Sequence, residues 1–61
     1  MKTYGLEKAQ DLWCVFKEQN NKQLWLDIGR KWTYDKTKRA GIKEYEKAIK
    51  ILLEEMNKNE S

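Results

Sequence analysis

The side chains of this 61-residue chain that could do covalent chemistry are few: one cysteine, Cys14, the hydroxyls of Thr3, Thr33, Thr37 and Ser61, and no histidine. Nucleophilic catalysis needs a base beside the nucleophile, and without histidine that base has to be a lysine or a carboxylate. Nothing in the spacing places such a pair. Glu44, Glu46, Glu54 and Glu55 stand among lysines three or four residues away, Glu46 with Lys50 for example, which is the pattern of a solvated helix face. The three glycines, at 5, 29 and 41, are too widely separated to cradle a phosphate. One cysteine and no histidine exclude an intrachain disulfide and a Cys/His zinc site. Cys14 itself falls off the neighbouring apolar stripe and reads as a partly covered bystander. No catalysis, metal or cofactor is expected.

Charge is the remaining chemistry. Residues 1–29 hold four lysines against four acids and are balanced, whereas 44–61 carry three lysines against five glutamates, a net of −2. Between them Arg30, Lys31, Lys36, Lys38, Arg39 and Lys43 face Asp35 alone, a net of +5. Such a block creates a local positive potential that attracts phosphates or an acidic protein surface, even where the whole-chain charge is only +3. These six residues are the candidate partner-binding set. The plainer reading is a solvated lysine-rich loop.

The elements that would position them follow from the apolar period. The longest apolar run, Leu12 to Phe16, is far short of the ~20 residues of a membrane span, and neither a membrane span nor a secretory signal is expected. Thr3 caps a first helix on which Leu6, Ala9, Trp13 and Phe16 recur at steps of three and four, with Leu12 widening the stripe. Asn20, with Gln23 three residues on, has the spacing of a capping box for a second helix that gathers Leu24, Trp25, Ile28 and Trp32 on one face. The basic stretch from Thr33 to Gly41 has no apolar period and reads as a loop, with Asp35 or Thr37 as the next cap. Ile42, Tyr45, Ile49, Leu52 and Met56 then repeat at three and four along a third helix, flanked by Ala48 and Leu53. The expectation is an all-α, single-domain three-helix bundle over residues 3–19, 21–34 and 38–57, fraying from about 57, with helices two and three as an antiparallel hairpin. Trp13, Phe16, Trp25, Ile28, Trp32, Tyr45, Ile49 and Leu52 would form its core, leaving Val15, Leu26 and Ile51 as a small sticky surface. The competing reading of the middle segment is a β-hairpin turning at Gly29-Arg30. It splits the tryptophans and leucines over two faces that two helices could not both cover, and the helical reading is kept.

A weak internal repeat is present: Glu7-Lys8-Ala9 returns as Glu46-Lys47-Ala48, and Leu12 and Trp13 are matched by Ile51 and Leu52 at the same offset. Between the copies, Trp25, Ile28, Gly29 and Trp32 stand at the offsets of the first helix of a tetratricopeptide repeat. Tyr45-Glu46-Lys47-Ala48-Ile49 resembles its second helix, and Ala9, Trp13 and Phe16 resemble the second helix of a preceding repeat. The resemblance implies a helical hairpin in which Gly29 lets the paired helices approach, the aromatic residues fill the gap, and Ala48 sits where space is smallest. It implies a tendency to bind protein, with no particular ligand.

The function these features favour is a small non-catalytic regulatory or inhibitor-type module that docks on an acidic protein partner through segment 30–43. The alternative is a helix-turn-helix-like nucleic-acid binder using the same cations. Self-association is a further use of the apolar surface, since a small core gains stability between chains. A cytoplasmic setting and a phage-like source suit a chain rich in Asn and Lys with no proline and one cysteine.

Overall fold

Tyr4, Trp13, Val15 and Phe16 fit a pleated surface as well as they fit a helix stripe, and in the computed structural model, which describes the backbone of residues 2–60 and the side chains of 3–58, they lie on strands. Strands β1 (Lys2–Ala9), β2 (Leu12–Gln19), β3 (Lys22–Leu26) and β4 (Trp32–Thr33) form one antiparallel sheet in the order β1-β2-β3-β4. A 3-10 turn at Lys36–Lys38 and a single helix, α1 (Tyr45–Glu60), complete the chain. The expected three-helix bundle is therefore overturned, along with its helical hairpin. The tetratricopeptide resemblance falls with it, because Trp25 and Trp32 stand on β3 and β4 and Gly29 in the loop between them. No helix of the described residues is long and apolar enough to cross a membrane.

The turns explain why. Gln10 takes φ 57° between β1 and β2, and Asn20 and Asn21 take φ 55° and 65° between β2 and β3. Positive φ at both central residues is the signature of a type I′ turn, whose twist matches that of the flanking strands, and asparagine tolerates that conformation. Asn20 is thus a turn residue and no helix cap. Between β3 and β4 the loop is Ile28-Gly29-Arg30: Arg30 N donates to the Asp27 carbonyl at 3.0 Å, Asp27 N to the Lys31 carbonyl at 2.8 Å, and Asp27 Oδ1 accepts from Lys31 N at 3.0 Å. The left-handed position belongs to Arg30, φ 63°, while neither Gly29 nor any other glycine has positive φ. Ile28, expected in the core, is the loop tip and 87% exposed.

Directly paired residues share a face of the sheet. One face carries Tyr4, Leu6 and Lys8 of β1, Trp13, Val15 and Lys17 of β2, Leu24 and Leu26 of β3, and Trp32 of β4. The rings of Tyr4 and Trp32 lie 6.3 Å apart although two strands intervene. In a flat sheet their strands would be about 14 Å apart, so the sheet curls around this face. Helix α1 fills the concavity through Ala48, fully buried, and Glu55, with the Tyr45 ring 4.7 Å from that of Trp13. The buried positions of α1 are seven residues apart, which rotates the helix from the expected stripe and leaves Tyr45 and Leu53 exposed.

The opposite face, with Glu7, Cys14, Phe16 and Trp25, is covered by the chain after β4. Lys36 Nζ and Arg39 Cζ lie 5.9 and 5.1 Å from the Trp25 ring centre. The segment then rejoins the sheet: Arg39 pairs with Asp27, Ala40 N donates to the Leu26 carbonyl at 2.9 Å, and Trp13 and Ile42 exchange two backbone bonds at 2.7 and 2.8 Å. One helix and one irregular segment thus cover the two faces that two helices were expected to be unable to cover. The most buried apolar residues are Val15, Cys14, Leu26, Trp25 and Ala48. Val15 and Leu26, 1% and 2% exposed, were the residues expected to be left outside, because alternation and not a helical stripe decides burial in a strand.

Candidate protein-binding surface

The structure divides the six predicted cations into two sets. Arg30 reaches from the β3–β4 loop to α1. Its Nε and NH2 donate to Glu55 Oε2 at 3.3 and 3.2 Å, and NH2 also reaches Glu54 Oε1 at 3.2 Å. Glu55 is 4% exposed and also accepts from Lys58 Nζ at 3.1 Å. The hydrogen bonds to Glu54 and Glu55 raise the Arg30 pKa further above its ordinary value. Arg39 lies over the Trp25 ring, with NH1 3.6 Å from Glu7 Oε2. That NH1 is buried without a hydrogen-bond partner among the described residues. Both arginines are therefore engaged within the fold.

Lys31, Lys36, Lys38 and Lys43 are exposed. Lys36 and Lys38 stand on the 3-10 turn, which Asp35 caps: its Oδ1 accepts from Thr37 N at 3.0 Å and Thr37 Oγ1 at 2.7 Å. Those two bonds hold the Asp35 carboxyl below its ordinary pKa. The segment's single acid, itself exposed, thus caps the turn on which Lys36 and Lys38 stand. Lys43 follows Ile42, whose two bonds to Trp13 anchor it to the sheet.

Cations that the sequence reading did not single out also matter. Lys8 Nζ is 5.7 Å from the Trp13 ring centre and Lys17 Nζ 4.5 Å from that of Trp32, while Lys22 Nζ is 5.8 Å from the Tyr34 ring centre. All three tryptophans carry a cation of the chain's own over a ring. Of these contacts only Lys8–Trp13 joins directly paired residues, so the set becomes readable only once the register and the curl of the sheet are known.

Cys14 is 2% exposed. Burial raises its thiol pKa, with nearby Arg39 opposing and Glu7 adding to the shift, so it is a core side chain rather than a nucleophile. Among the described residues no group of three or more Cys, Asp or Glu side chains could hold a metal ion. The chain matches no protein-family model, and no curated protein or solved structure is significantly similar to it. A functional reading rests on its own side chains.

Proposed function

We propose that this is a non-catalytic binding module that docks on an acidic protein surface through Lys31, Lys36, Lys38 and Lys43. The observation that carries the reading is the division of the cations: the two arginines are paired with acids of the chain itself, and the four lysines are exposed on a braced segment whose one acid, Asp35, is bound to Thr37. Complementary charge of this kind steers encounter and sets orientation.

Nucleic acid is the less favoured partner on two specific grounds. Base edges are read best by the planar fork of arginine, and both arginines of the segment are paired with acids of the chain itself. Single strands are held by stacking bases on aromatic faces, and each tryptophan ring already has an intramolecular cation over it. Nor does the basic segment open a recognition helix, since α1 begins at Tyr45 with Glu44 and Glu46 beside it.

The test is fluorescence anisotropy of the full chain with a labelled octapeptide alternating glutamate and valine, and with labelled mixed-sequence duplex DNA and single-stranded RNA, each at two salt concentrations. The peptide is expected to bind, more weakly at high salt. Replacing all four lysines by glutamine should weaken it about tenfold, at a few tenths of a kcal/mol per exposed charge. Tighter binding of DNA or RNA than of the peptide, lost in the same variant, overturns the protein-partner reading.

A further inference from the structure

β1 is an edge strand of eight residues, and among the described residues it pairs with β2 alone. Which of its backbone groups face outward follows from Trp13. Both backbone groups of Trp13 bond to Ile42, on the side of β2 away from β1. Lys8, opposite Trp13, therefore belongs to a non-hydrogen-bonded pair, and the period of two turns the N–H and C=O of Tyr4, Leu6 and Lys8 out of the sheet.

Proteins usually blunt such an edge with proline, a bulge, lysines or an inward charge. β1 has no proline and a one-to-one register with β2; Lys8 stands at its C-terminal end and Glu7 lies on the other face beside Arg39, so the stretch from Thr3 to Leu6 carries no charge. The side chains of Tyr4, Leu6 and Lys8 all lie on the concave face. There the curl of the sheet brings Tyr4 to the Trp32 ring, and the Tyr4 hydroxyl is buried without a hydrogen-bond partner among the described residues. An edge with outward donors and acceptors, one apolar and aromatic flank and a lysine at its end is built for strand addition.

We infer that the outer edge of β1 receives an extended segment of the acidic partner as an added strand, with apolar side chains beside Tyr4 and Leu6 and an acidic one beside Lys8. This deepens the proposed function and rests on it. Charge selects the occupant. The outward-pairing positions Tyr4, Leu6 and Lys8 offer a cation and no acid, and Lys43 stands two strand ranks away through the pairings Lys8–Trp13–Ile42. A second copy of β1 paired antiparallel about Leu6 would set Lys8 opposite Tyr4 and give it no acid.

Amide hydrogen exchange on the full, nitrogen-labelled chain decides the matter, with a terminally blocked octapeptide as probe whose extended form carries two valines and then a glutamate at alternate positions of one face. The expected result is at least tenfold slower exchange at Tyr4, Leu6 and Lys8 when peptide is bound. Lys8→Pro removes an outward donor without touching the β1–β2 ladder and should abolish the protection, whereas Lys8→Gln, which loses only charge, should keep it. If the proline variant does not fold, the exchange pattern of the native chain and of Lys8→Gln decides alone. Peptide-induced shifts at Lys31, Lys36, Lys38 and Lys43 with unchanged exchange in β1 would sink the edge inference and leave the docking surface standing. Absence of any shift at low salt would sink both. Protection that rises with protein concentration without peptide, together with a dimer in sedimentation, would make a second copy the occupant and overturn the inference.

Discussion

Arg30 shows how one residue can break a local rule for a distant partner. A left-handed backbone costs a non-glycine residue roughly 1–2 kcal/mol, and glycine stands next door without occupying the position. What Arg30 gains is Glu55, a buried carboxylate whose loss of a partner costs up to about 3–5 kcal/mol. Arg30→Gly relieves the strain but takes one cation away from the carboxylate. It should lower stability by about 1–3 kcal/mol in urea unfolding. In a Glu55→Gln background the same substitution should be neutral or stabilising, and an equal loss in both backgrounds would rule out the coupling. Cys14 gives a pH-dependent counterpart. Burial raises its folded-state pKa, so the folded chain keeps the thiol proton to higher pH than the unfolded chain does. Its contribution is constant below the unfolded thiol pKa of about 8.5 and falls as pH rises through that value. Urea midpoints from pH 7.5 to 10 should decline more steeply for the native chain than for Cys14→Ala, and parallel curves would contradict the assignment. Neither residue's role was legible in the sequence: the acid that claims Arg30 lies 25 positions away, and burial of Cys14 depends on the segment crossing its face.

At the scale of elements, the sequence reading failed where two periods coincide. Leu6, Ala9, Trp13 and Phe16 satisfy a helical stripe by chance, since a turn at Gln10-Asp11 folds them onto two strands and onto both faces. The better guide was turn chemistry. Asn20-Asn21 between two runs rich in aromatic and branched residues is a hairpin signal, and the hairpin reading of 24–34 was correct in kind although the loop has three residues and places the positive φ at Arg30. The C-terminal helix was legible because Tyr45 to Met56 has no competing turn residue. Its start lies seven residues later than expected, since 38–44 cross the sheet face and rejoin it. The type I′ turn yields a prediction of its own. Asn21→Gly places the preferred residue at φ 65° and should stabilise by about 0.5–1 kcal/mol, raising Tm by a few degrees. A lower Tm would mean that the Asn21 side chain makes a contact the turn depends on.

Across the whole molecule, the charge block was legible and its division was not. Composition located the positive segment, while the split into two arginines paired with the chain's own acids and four displayed lysines depends on Glu7, Glu54 and Glu55, which only the fold brings to them. The order of connections also governs how the chain finds its structure. The strand pairs are local hairpins that form early, whereas the bonds of Trp13 with Ile42 and of Leu26 with Ala40 span much longer loops and close last. With no proline and no disulfide in the chain, refolding should be a single exponential free of slow isomerisation phases. Ala40→Pro, which removes the donor to Leu26, should act mainly by speeding unfolding. Stopped-flow tryptophan fluorescence reads both limbs, and a variant that instead slows refolding would move the closing segment into the transition state. The wrap that rejoins the sheet at Ile42 would then be the nucleus of folding rather than its final clasp.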